Sequence, residues 1–256
     1  MPTLSPWPYP RWIAHRGAGR LAPENTLAAF RLGAAHGYRM AECDVKLSAD
    51  GIPFLLHDAT LARTTRGLHD LAGPQASPVA GEHPWATLSQ LDAGSWHSRA
   101  FAGEPLPTLA QVARYLRANG LLLNIEIKPT PGTEARTGAV VAETAARLWA
   151  GAPVPPLLSS FRPEALATAR DAAPALPRAL LLDSLWDGCL DHAQALGCVA
   201  LVCNHALWDA ALVARARALG LRCLSYTVND PWAAERLIDL GTDGIITDRV
   251  DLFAPA

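Results

Sequence analysis

The chain has 256 residues, of which 50% are apolar and 18% are charged, a composition that excludes an intrinsically disordered protein. Lys and Arg number 22 against 24 Asp and Glu, and the formal net charge of −2 argues against a chain-wide electrostatic grip on nucleic acid or an anionic membrane. An anionic ligand therefore needs a local group of binding residues. The length corresponds to about 1.7 average domains, which allows one large domain or two small ones.

The first 17 residues lack a basic segment followed by an apolar stretch of about 7–15 residues, so we expect no signal peptide. No apolar run reaches the roughly 18–20 residues that span a bilayer, which predicts no membrane anchor. The five cysteines are odd in number and form no CxxC pair, which indicates reduced and mostly buried thiols. Together these features predict a cytoplasmic protein.

Short apolar, strand-like runs alternate along the chain with amphipathic helical stretches. The predicted strands are residues 12–14, 40–47, 121–127, 156–160, 178–183, 198–203, 222–228 and 244–247. The predicted helices include 26–36, 109–119, 163–172, 209–219 and 231–240, and several of them end at a glycine typical of a helix C-terminus. Eight strands alternating with helices in about 250 residues predict an α/β protein with a (β/α)8 TIM barrel. The alternative is an open doubly wound sheet, but no GxGxxG follows the first strand.

One segment, residues 58–105, interrupts the alternation where a single strand-to-helix loop is expected. It is rich in Gly, Pro, Ser and His. A loop of this length in a compact domain is usually functional or has small structure of its own. We therefore predict one barrel domain over residues 1–256, with a small insertion after the second strand.

Two of the predicted strands have acidic side chains on one face. In MAECDVKLS, Glu42 and Asp44 share a face while the apolar residues share the other, and in LLLNIEIKP the inward face has Asn124, Glu126 and Lys128. Because the apolar faces pack against the helices, the acids point into the barrel. Buried carboxylates are costly unless they are compensated, and a divalent cation with oxygen ligands is the simplest solution. Salt-bridged residues at the barrel rim are the alternative.

Two histidines close apolar runs, His15 in IAHRG and His57 in IPFLLHD. Their expected position at strand ends near the acids favours a general acid/base pair over structural histidines. Arg16, followed by Gly17 and Gly19, begins a loop that leads to a helix start. An arginine, a flexible backbone and a helix N-terminus together suit an oxyanion such as phosphate.

Six segments occur in order over nearly the whole chain: AHRGAGRLAPENTLAAF, AECDVKLSADGIPFLLHDATLARTT, NIEIKP, LLSSF, YTVND and GTDGIITDRVD. With the WPYPR start and the AGSW…GEPLP stretch, they resemble the signature segments of the glycerophosphodiester phosphodiesterase family. The fit is closest to the cytoplasmic bacterial members associated with glycerol-3-phosphate uptake. The resemblance implies a (β/α)8 barrel with an insertion after the second strand. It also implies hydrolysis of small glycerophosphodiesters, such as glycerophosphocholine or glycerophosphoethanolamine, to sn-glycerol 3-phosphate and an alcohol.

The same resemblance implies a role for each residue of the predicted site. The acid/base pair is His15 and His57, the ligands of Mg²⁺ or Ca²⁺ are Glu42, Asp44 and Glu126, and the phosphate-binding residues are Arg16 and Lys128. We expect the insertion to cap the mouth of the site and to select the glycerol end of the substrate. Trp232 is a weaker candidate for lining the pocket.

The chain departs from the family pattern at two places that concern substrate fit. Ala110 and Gln111 follow Leu109 where many members have an acidic residue, and Tyr226 stands where many have Trp. Two other functions remain as alternatives: a related barrel phosphodiesterase that acts on lysophospholipids or releases a cyclic phosphate, and a non-catalytic phosphate-binding barrel. The oligomeric state stays open.

Overall fold

A computed structural model describes residues 7–73 and 75–255 of the protein. The strands are β1 (Trp12–Ala14), β2 (Met40–Leu47), β3 (Pro53–Leu55), β4 (Leu122–Ile127), β5 (Leu157–Ser160), β6 (Arg178–Leu182), β7 (Ala200–Asn204), β8 (Arg222–Tyr226) and β9 (Gly244–Thr247). The helices are α1 (Leu27–Ala35), α2 (Leu68–Ala72), α3 (Trp85–Leu88), α4 (Leu109–Ala118), α5 (Glu134–Leu148), α6 (Pro163–Ala172), α7 (Cys189–Ala195), α8 (Ala210–Ala218) and α9 (Pro231–Asp239).

Eight of these strands form a parallel sheet that closes on itself. Each strand of the series β1, β2, β4, β5, β6, β7, β8 and β9 pairs with the next, and β9 pairs back with β1. Helices connect consecutive barrel strands. The predicted (β/α)8 TIM barrel is confirmed, and the predicted bounds of its eight strands lie within two residues of those observed.

The strand β3 is not one of the eight predicted barrel strands; it forms within the apolar run IPFLLHD, which was expected to end at His57. It runs antiparallel to the end of β2, with Val45 opposite Leu55 and Leu47 opposite Pro53. The eight-residue β2 is the longest barrel strand, and its end pairs with β3 beyond its short contact with β1. The chain therefore turns back towards the barrel after β2 before it enters the insertion.

The inside and outside of the barrel follow the alternation expected from the sequence. On β2, Ala41, Cys43 and Val45 pack in a cluster with residues of the surrounding helices. At the N-terminal end of the barrel the interior is apolar, with side chains such as Met40 and Leu224 in one cluster. The polar inward residues therefore lie towards the C-terminal ends of the strands, where barrel enzymes assemble their sites.

The insertion, residues 58–105, includes the short helices α2 and α3 and two 3-10 turns. Its leucines pack with the end of β3 in a small apolar cluster that includes Phe54, Leu61 and Leu88. Two of its side chains also contact the first barrel loop and helix: Glu104 accepts a hydrogen bond from the Ala28 amide at 3.0 Å, and the His97 ring lies 3.0 Å from the Arg20 carbonyl oxygen. The insertion is thus attached to the segment that follows β1.

All five cysteines lie within the described residues and are buried, unbonded thiols, as the sequence predicts. Of the helices in the described ranges, none combines the length and apolarity needed to cross a bilayer. Residues 1–6 of the start, on which the expectation of no signal peptide partly depends, lie outside the described residues.

Candidate active site

The register between β2 and β4 brings the three predicted acids together. Asp44 lies beside Glu126, and Glu42 lies beside Asn124, one step closer to the barrel floor. Glu42 and Asp44 are buried, at 3% and 1% exposure. One carboxylate oxygen from each of Glu42, Asp44 and Glu126 lies within 4.8 Å of the others.

Asp44 has the largest number of partners among the acids. The Asn25 side-chain amide donates to it at 2.8 Å, and its own backbone amide donates to the Asn25 side-chain oxygen at 3.1 Å. The Lys128 ammonium lies 3.3 Å away and the Arg16 Nε lies 3.4 Å away. Burial opposes ionisation, but the charges of Lys128 and Arg16 hold the pKa of Asp44 below its usual range. Asp44 is therefore a carboxylate at neutral pH.

The other two acids are less well compensated. Burial, reinforced by the charge of Asp44, raises the pKa of Glu42 to about 8, although the Arg16 amide donates to Glu42 at 3.0 Å. Burial and the charge of Asp44 likewise raise the pKa of Glu126, although Lys128 donates to it at 2.9 Å. The positive charges around this cluster therefore compensate Asp44 but leave the pKa values of Glu42 and Glu126 above their usual range.

A divalent cation fits this cluster. Three carboxylate oxygens are the donors that Mg²⁺ and Ca²⁺ prefer, and a three-carboxylate set leaves coordination positions for water or substrate. Asn124, which is 1% exposed, also lines the cavity, and its Oδ1 has no hydrogen-bond partner among the described residues. The donor set and the raised pKa values of Glu42 and Glu126 fit a site whose carboxylates are compensated by a bound cation.

His15 lies at the C-terminal end of β1, where parallel pairing places it beside the residues that follow β9. Its backbone amide donates to the Thr247 carbonyl, and its ring Nδ1 lies 2.6 Å from Asp248 Oδ1. Asn229 holds Asp248 in place, since its side-chain amide donates to Asp248 Oδ2 at 3.0 Å and its Oδ1 accepts from the Asp248 backbone amide at 2.9 Å. His15 Nε2 is 3.9 Å from Glu42. Asp248 thus orients the His15 ring through Nδ1, and Nε2 faces the acidic cluster.

His57 lines the same cavity from the end of β3. The sequence placed His57 at the end of an apolar, strand-like run, and the structure shows that this strand runs antiparallel to β2 and back towards the site. The Leu56 amide donates to the Asp44 carbonyl, which fixes the depth of the following residue. His57 Nδ1 lies 2.7 Å from Asp58 Oδ1. The two histidines are therefore brought together, as predicted, although an antiparallel hairpin rather than a barrel strand positions the second.

The pKa values of the two imidazoles are shifted in opposite directions. Burial lowers the pKa of His15, but the hydrogen bond to Asp248 and the charge of Glu42 outweigh it, and the pKa lies above its usual value. For His57, burial lowers the pKa more than Asp44 raises it, and the positive charges of Arg16 and Lys128 add to the lowering. A pair with pKa values moved apart in this way is typical of an acid and a base in one site.

The loop after β1 has a backbone that suits close approach. Arg16 has φ of 49°, a left-handed conformation that also directs its amide to Glu42. Gly19 has φ of 58°, and a Cβ at that position would collide with the backbone of Asp248. The Arg16 side chain lies next to Asp44 and Glu24. Arg16 and Lys128 therefore both border the acidic cluster, as predicted.

The opposite wall of the cavity is apolar and aromatic. The cavity has a volume of about 160 Å³, and its lining includes Phe161, Leu181, Tyr226 and Ile246 in addition to the polar residues. The Phe161 and Tyr226 rings meet edge to face at 5.6 Å, and the Tyr226 hydroxyl donates to the Leu182 carbonyl. The expectation for Trp232 is wrong: its side chain is 63% exposed and is not part of this lining.

Of the departures from the family pattern, Gln111 has a local structural role. Its side chain accepts from the Thr108 amide while the Thr108 hydroxyl accepts from the Gln111 amide, which caps the start of α4. Tyr226, in contrast, is part of the cavity wall.

Sequence reasoning missed the residues that hold the predicted ones. Asp248 follows β9 directly, so the rule that identified His15 at the end of β1 could have found it. Asp58 is adjacent to His57. Asn25 is buried with φ of 60°, and asparagine is among the few residues that tolerate this conformation, but a single asparagine in a loop is a weak signal.

Comparison with known proteins gives a consistent result. The model of the glycerophosphoryl diester phosphodiesterase family matches residues 15–252. A glycerophosphodiester phosphodiesterase of Caldanaerobacter subterraneus is 32% identical over 240 residues, which cover 92% of this chain and 93% of that protein. The structure of an Oleispira antarctica phosphodiesterase in complex with the product sn-glycerol-3-phosphate is similar, with a TM-score of 0.83, 33% identity and coverage of 94% and 93%. A glycerophosphodiester phosphodiesterase from Agrobacterium tumefaciens has a TM-score of 0.74 and 29% identity, with coverage of 96% and 100%.

Proposed function

The chain belongs to the glycerophosphoryl diester phosphodiesterase family, and from this membership we propose that it hydrolyses small glycerophosphodiesters with the help of a divalent cation. Glycerophosphocholine and glycerophosphoethanolamine are the expected substrates, and the products are sn-glycerol 3-phosphate and an alcohol. The similar Oleispira antarctica enzyme, which binds sn-glycerol-3-phosphate as its product, supports this choice of substrate class.

The observation that supports this function is the combination of groups around one cavity. Two carboxylates, two imidazoles and two cationic side chains line a cavity of about 160 Å³, and the third carboxylate, that of Asp44, lies within 4.8 Å of the other two. A phosphodiester is an anion that needs a positive environment, a base for the attacking oxygen and an acid for the leaving oxygen. The groups on these walls meet each need.

Glu42, Asp44 and Glu126 would hold the cation, Mg²⁺ or Ca²⁺. When bound, such a cation supplies electrostatic stabilisation of the negative charge that develops on the phosphoryl oxygens. Arg16 and Lys128 lie at the rim of the acidic cluster, each within 3.4 Å of Asp44, and bind the phosphate from there. Both side chains thereby orient the diester between the two histidines.

The histidines move the protons. His57, neutral at pH 7 because its pKa is lowered, removes the proton from the attacking oxygen as that oxygen forms its bond to phosphorus. His15, whose pKa is raised, donates its proton to the alcohol oxygen as the phosphorus–oxygen bond to the alcohol breaks. Asp248 stabilises the protonated form of His15 at 2.6 Å, and Asp58 orients His57 at 2.7 Å.

The attacking oxygen belongs either to water or to the 2-hydroxyl of glycerol. In the second case a cyclic phosphate forms, and water then opens it. Time-resolved phosphorus NMR of the reaction distinguishes them, because a cyclic diester has its own resonance and appears before sn-glycerol 3-phosphate. Lysophospholipids form the alternative substrate class, and the same assay with a lysophosphatidylcholine tests it.

The direct test is the release of sn-glycerol 3-phosphate from glycerophosphocholine. We expect activity that is lost with EDTA and restored by adding back a single metal, tested one ion at a time. Activity that survives chelation contradicts the role of the cation. A protein that binds the diester but releases nothing under any metal is a non-catalytic phosphate-binding barrel.

We also propose that the insertion is part of the barrel domain and caps the mouth of the site on the glycerol side. Its contacts with the first barrel loop, through Glu104 and His97, support this arrangement. A cytoplasmic location is proposed on the basis of the five buried, reduced cysteines.

A further inference from the structure

The guanidinium of Arg63, which comes from the insertion, lies between two carboxylates at the edge of the site. Its Nε and Nη2 donate to the two oxygens of Asp58 at 2.6 and 3.0 Å. Its Nη1 and Nη2 donate to the two oxygens of Glu24 at 2.8 and 2.7 Å. Arg63 therefore makes two bidentate contacts at once, which only the rigid fork of a guanidinium can do.

In each carboxylate, the oxygen that accepts from Arg63 Nη2 also contacts a residue of the proposed machinery. Asp58 Oδ1 lies 2.7 Å from His57 Nδ1. Glu24 Oε1 accepts from Arg16 Nη1 at 2.9 Å. A continuous series of hydrogen bonds thus runs from the imidazole of His57, through Arg63, to the guanidinium of Arg16.

We propose that Arg63 is a positioning residue that fixes the imidazole of His57 relative to the phosphate-binding side chain of Arg16. This inference rests on the function proposed above for those two residues. Arg63 acts through Asp58 and Glu24 and is not part of the cavity lining.

The position of these contacts favours a role in the site over a role in stability alone. The Arg63 side chain is 44% exposed, so solvent screens its ion pairs. Arg66, three residues later and also exposed, shows the ordinary alternative, since its guanidinium donates to backbone carbonyls of its own turn. Both Arg16 and His57 lie on loops rather than within strands, so an external contact is needed to hold each side chain in one orientation.

Steady-state kinetics provides the first test, with glycerophosphocholine and saturating metal. We expect Arg63→Ala to lower kcat/KM by about 10- to 100-fold, with a lower kcat because His57 is no longer oriented and a higher KM because Arg16 is free to move. Arg63→Lys should recover only part of the loss, since one ammonium cannot serve both carboxylates. Arg66→Ala is the matched control and should stay within twofold of wild type. A kcat and KM of Arg63→Ala within twofold of wild type overturn the inference.

Two further variants separate the halves of the series and answer the case in which Arg63→Ala folds poorly. Asp58→Asn should mainly lower kcat, and Glu24→Gln should mainly raise KM. Because Arg63 joins the two, the double variant should lose at least twofold less than the product of the single effects. Losses that multiply independently overturn the inference.

A spectroscopic test does not depend on turnover. Asp58 is ionised, because the hydrogen bond from Arg63 holds its pKa well below the usual range, so the proton shared with His57 belongs to Nδ1. Nitrogen-15 NMR of the histidine rings should show the Nδ1–H tautomer of His57 in the wild type and in Arg66→Ala, and its loss in Arg63→Ala. The same tautomer in all three proteins overturns the inference. If the wild type releases no sn-glycerol 3-phosphate, the proposed function fails, and the NMR result still decides whether Arg63 orients His57.

Discussion

Replacing Asp248 with asparagine should remove the acid function of His15 while leaving the cation ligands untouched. The hydrogen bonds of Asn229 determine which way the new side-chain amide of residue 248 points. Its Oδ1 accepts from the backbone amide of residue 248, so its side-chain NH₂ must point at the side chain of that residue. An asparagine at this position therefore turns its oxygen to Asn229 and presents its own NH₂ to His15 Nδ1, which must then be the unprotonated nitrogen.

The size of the expected fall in kcat follows from the loss of the charged hydrogen-bond partner of His15. In the wild type, the 2.6 Å hydrogen bond to an ionised Asp248 stabilises a doubly protonated ring. In the Asp248→Asn variant, the neutral ring keeps its proton on Nε2 and is a far weaker acid. General acid catalysis contributes about 10²–10⁴-fold, so kcat should fall by that factor, equivalent to about 2.7–5.4 kcal/mol.

The assay is the pH dependence of kcat/KM with saturating metal. The acid acts only when protonated, so activity falls as the pH rises through the pKa of His15. Since burial then outweighs the charges that remain, the pKa falls, and the alkaline limb should move to lower pH. Asp251→Asn is the matched control, because Asp251 lies in the same loop, is exposed and pairs with Arg249. An Asp248→Asn enzyme within threefold of wild type, with its alkaline limb unmoved, refutes the assignment.

Three other predictions concern the histidines, the cation and the loop after β1. His15→Ala and His57→Ala should each lower turnover by about 10²–10⁴-fold with an unchanged circular dichroism spectrum, and wild-type activity in either removes it from the acid/base pair. Burial raises the pKa of Glu42 to about 8 in the metal-free protein, so cation binding at pH 7 should release a proton, and the affinity for the cation should fall as the pH falls. Calorimetry in buffers of different ionisation enthalpy measures the number of protons released. The Glu42→Gln variant should abolish this release. Gly19→Ala should lower the free energy of unfolding, measured in urea, by about 1–3 kcal/mol more than Gly67→Ala does. Gly67 is the control because it also has a positive φ but has open space where a Cβ would lie. Equal losses in the two variants exclude the collision with the Asp248 backbone.

The barrel was predictable because its signals are local and repeated. The barrel strands are short runs rich in apolar residues, and several of the predicted helices end at a glycine or begin at a proline. Glu42, Asp44 and Glu126 were predictable for the same reason, since alternation along a strand decides which side chains face inward. Because β2 and β4 are consecutive barrel strands, their pairing brings the three acids together, and no contact between distant parts of the sheet is needed.

The residues that orient the site were not predictable in this way. Asp248 and His15 are neighbours only because β9 closes the barrel against β1, a contact between the two ends of the sheet. The turn that makes β3 antiparallel decides how deep His57 lies, and neither its pairing nor its direction follows from a three-residue strand. Arg63 depends on how the insertion folds back, which no periodicity in residues 58–105 reveals.

The polar wall and the aromatic wall of the cavity come mostly from different arcs of the barrel. This division separates the residues of the proposed reaction from the residues that shape the rest of the cavity. The residues of the proposed proton transfer, cation binding and phosphate binding lie on or next to β1, β2, β3, β4 and β9. Phe161, Leu181 and Tyr226 lie on or next to β5, β6 and β8, and only Ile246 of the apolar wall comes from β9. A substitution at Leu181 reshapes the cavity without replacing a titratable side chain, whereas the Phe161 ring lies 5.9 Å from the Lys128 ammonium. We therefore expect substitutions on this arc to change the preference for one alcohol over another while the proposed acid, base and cation ligands stay in place.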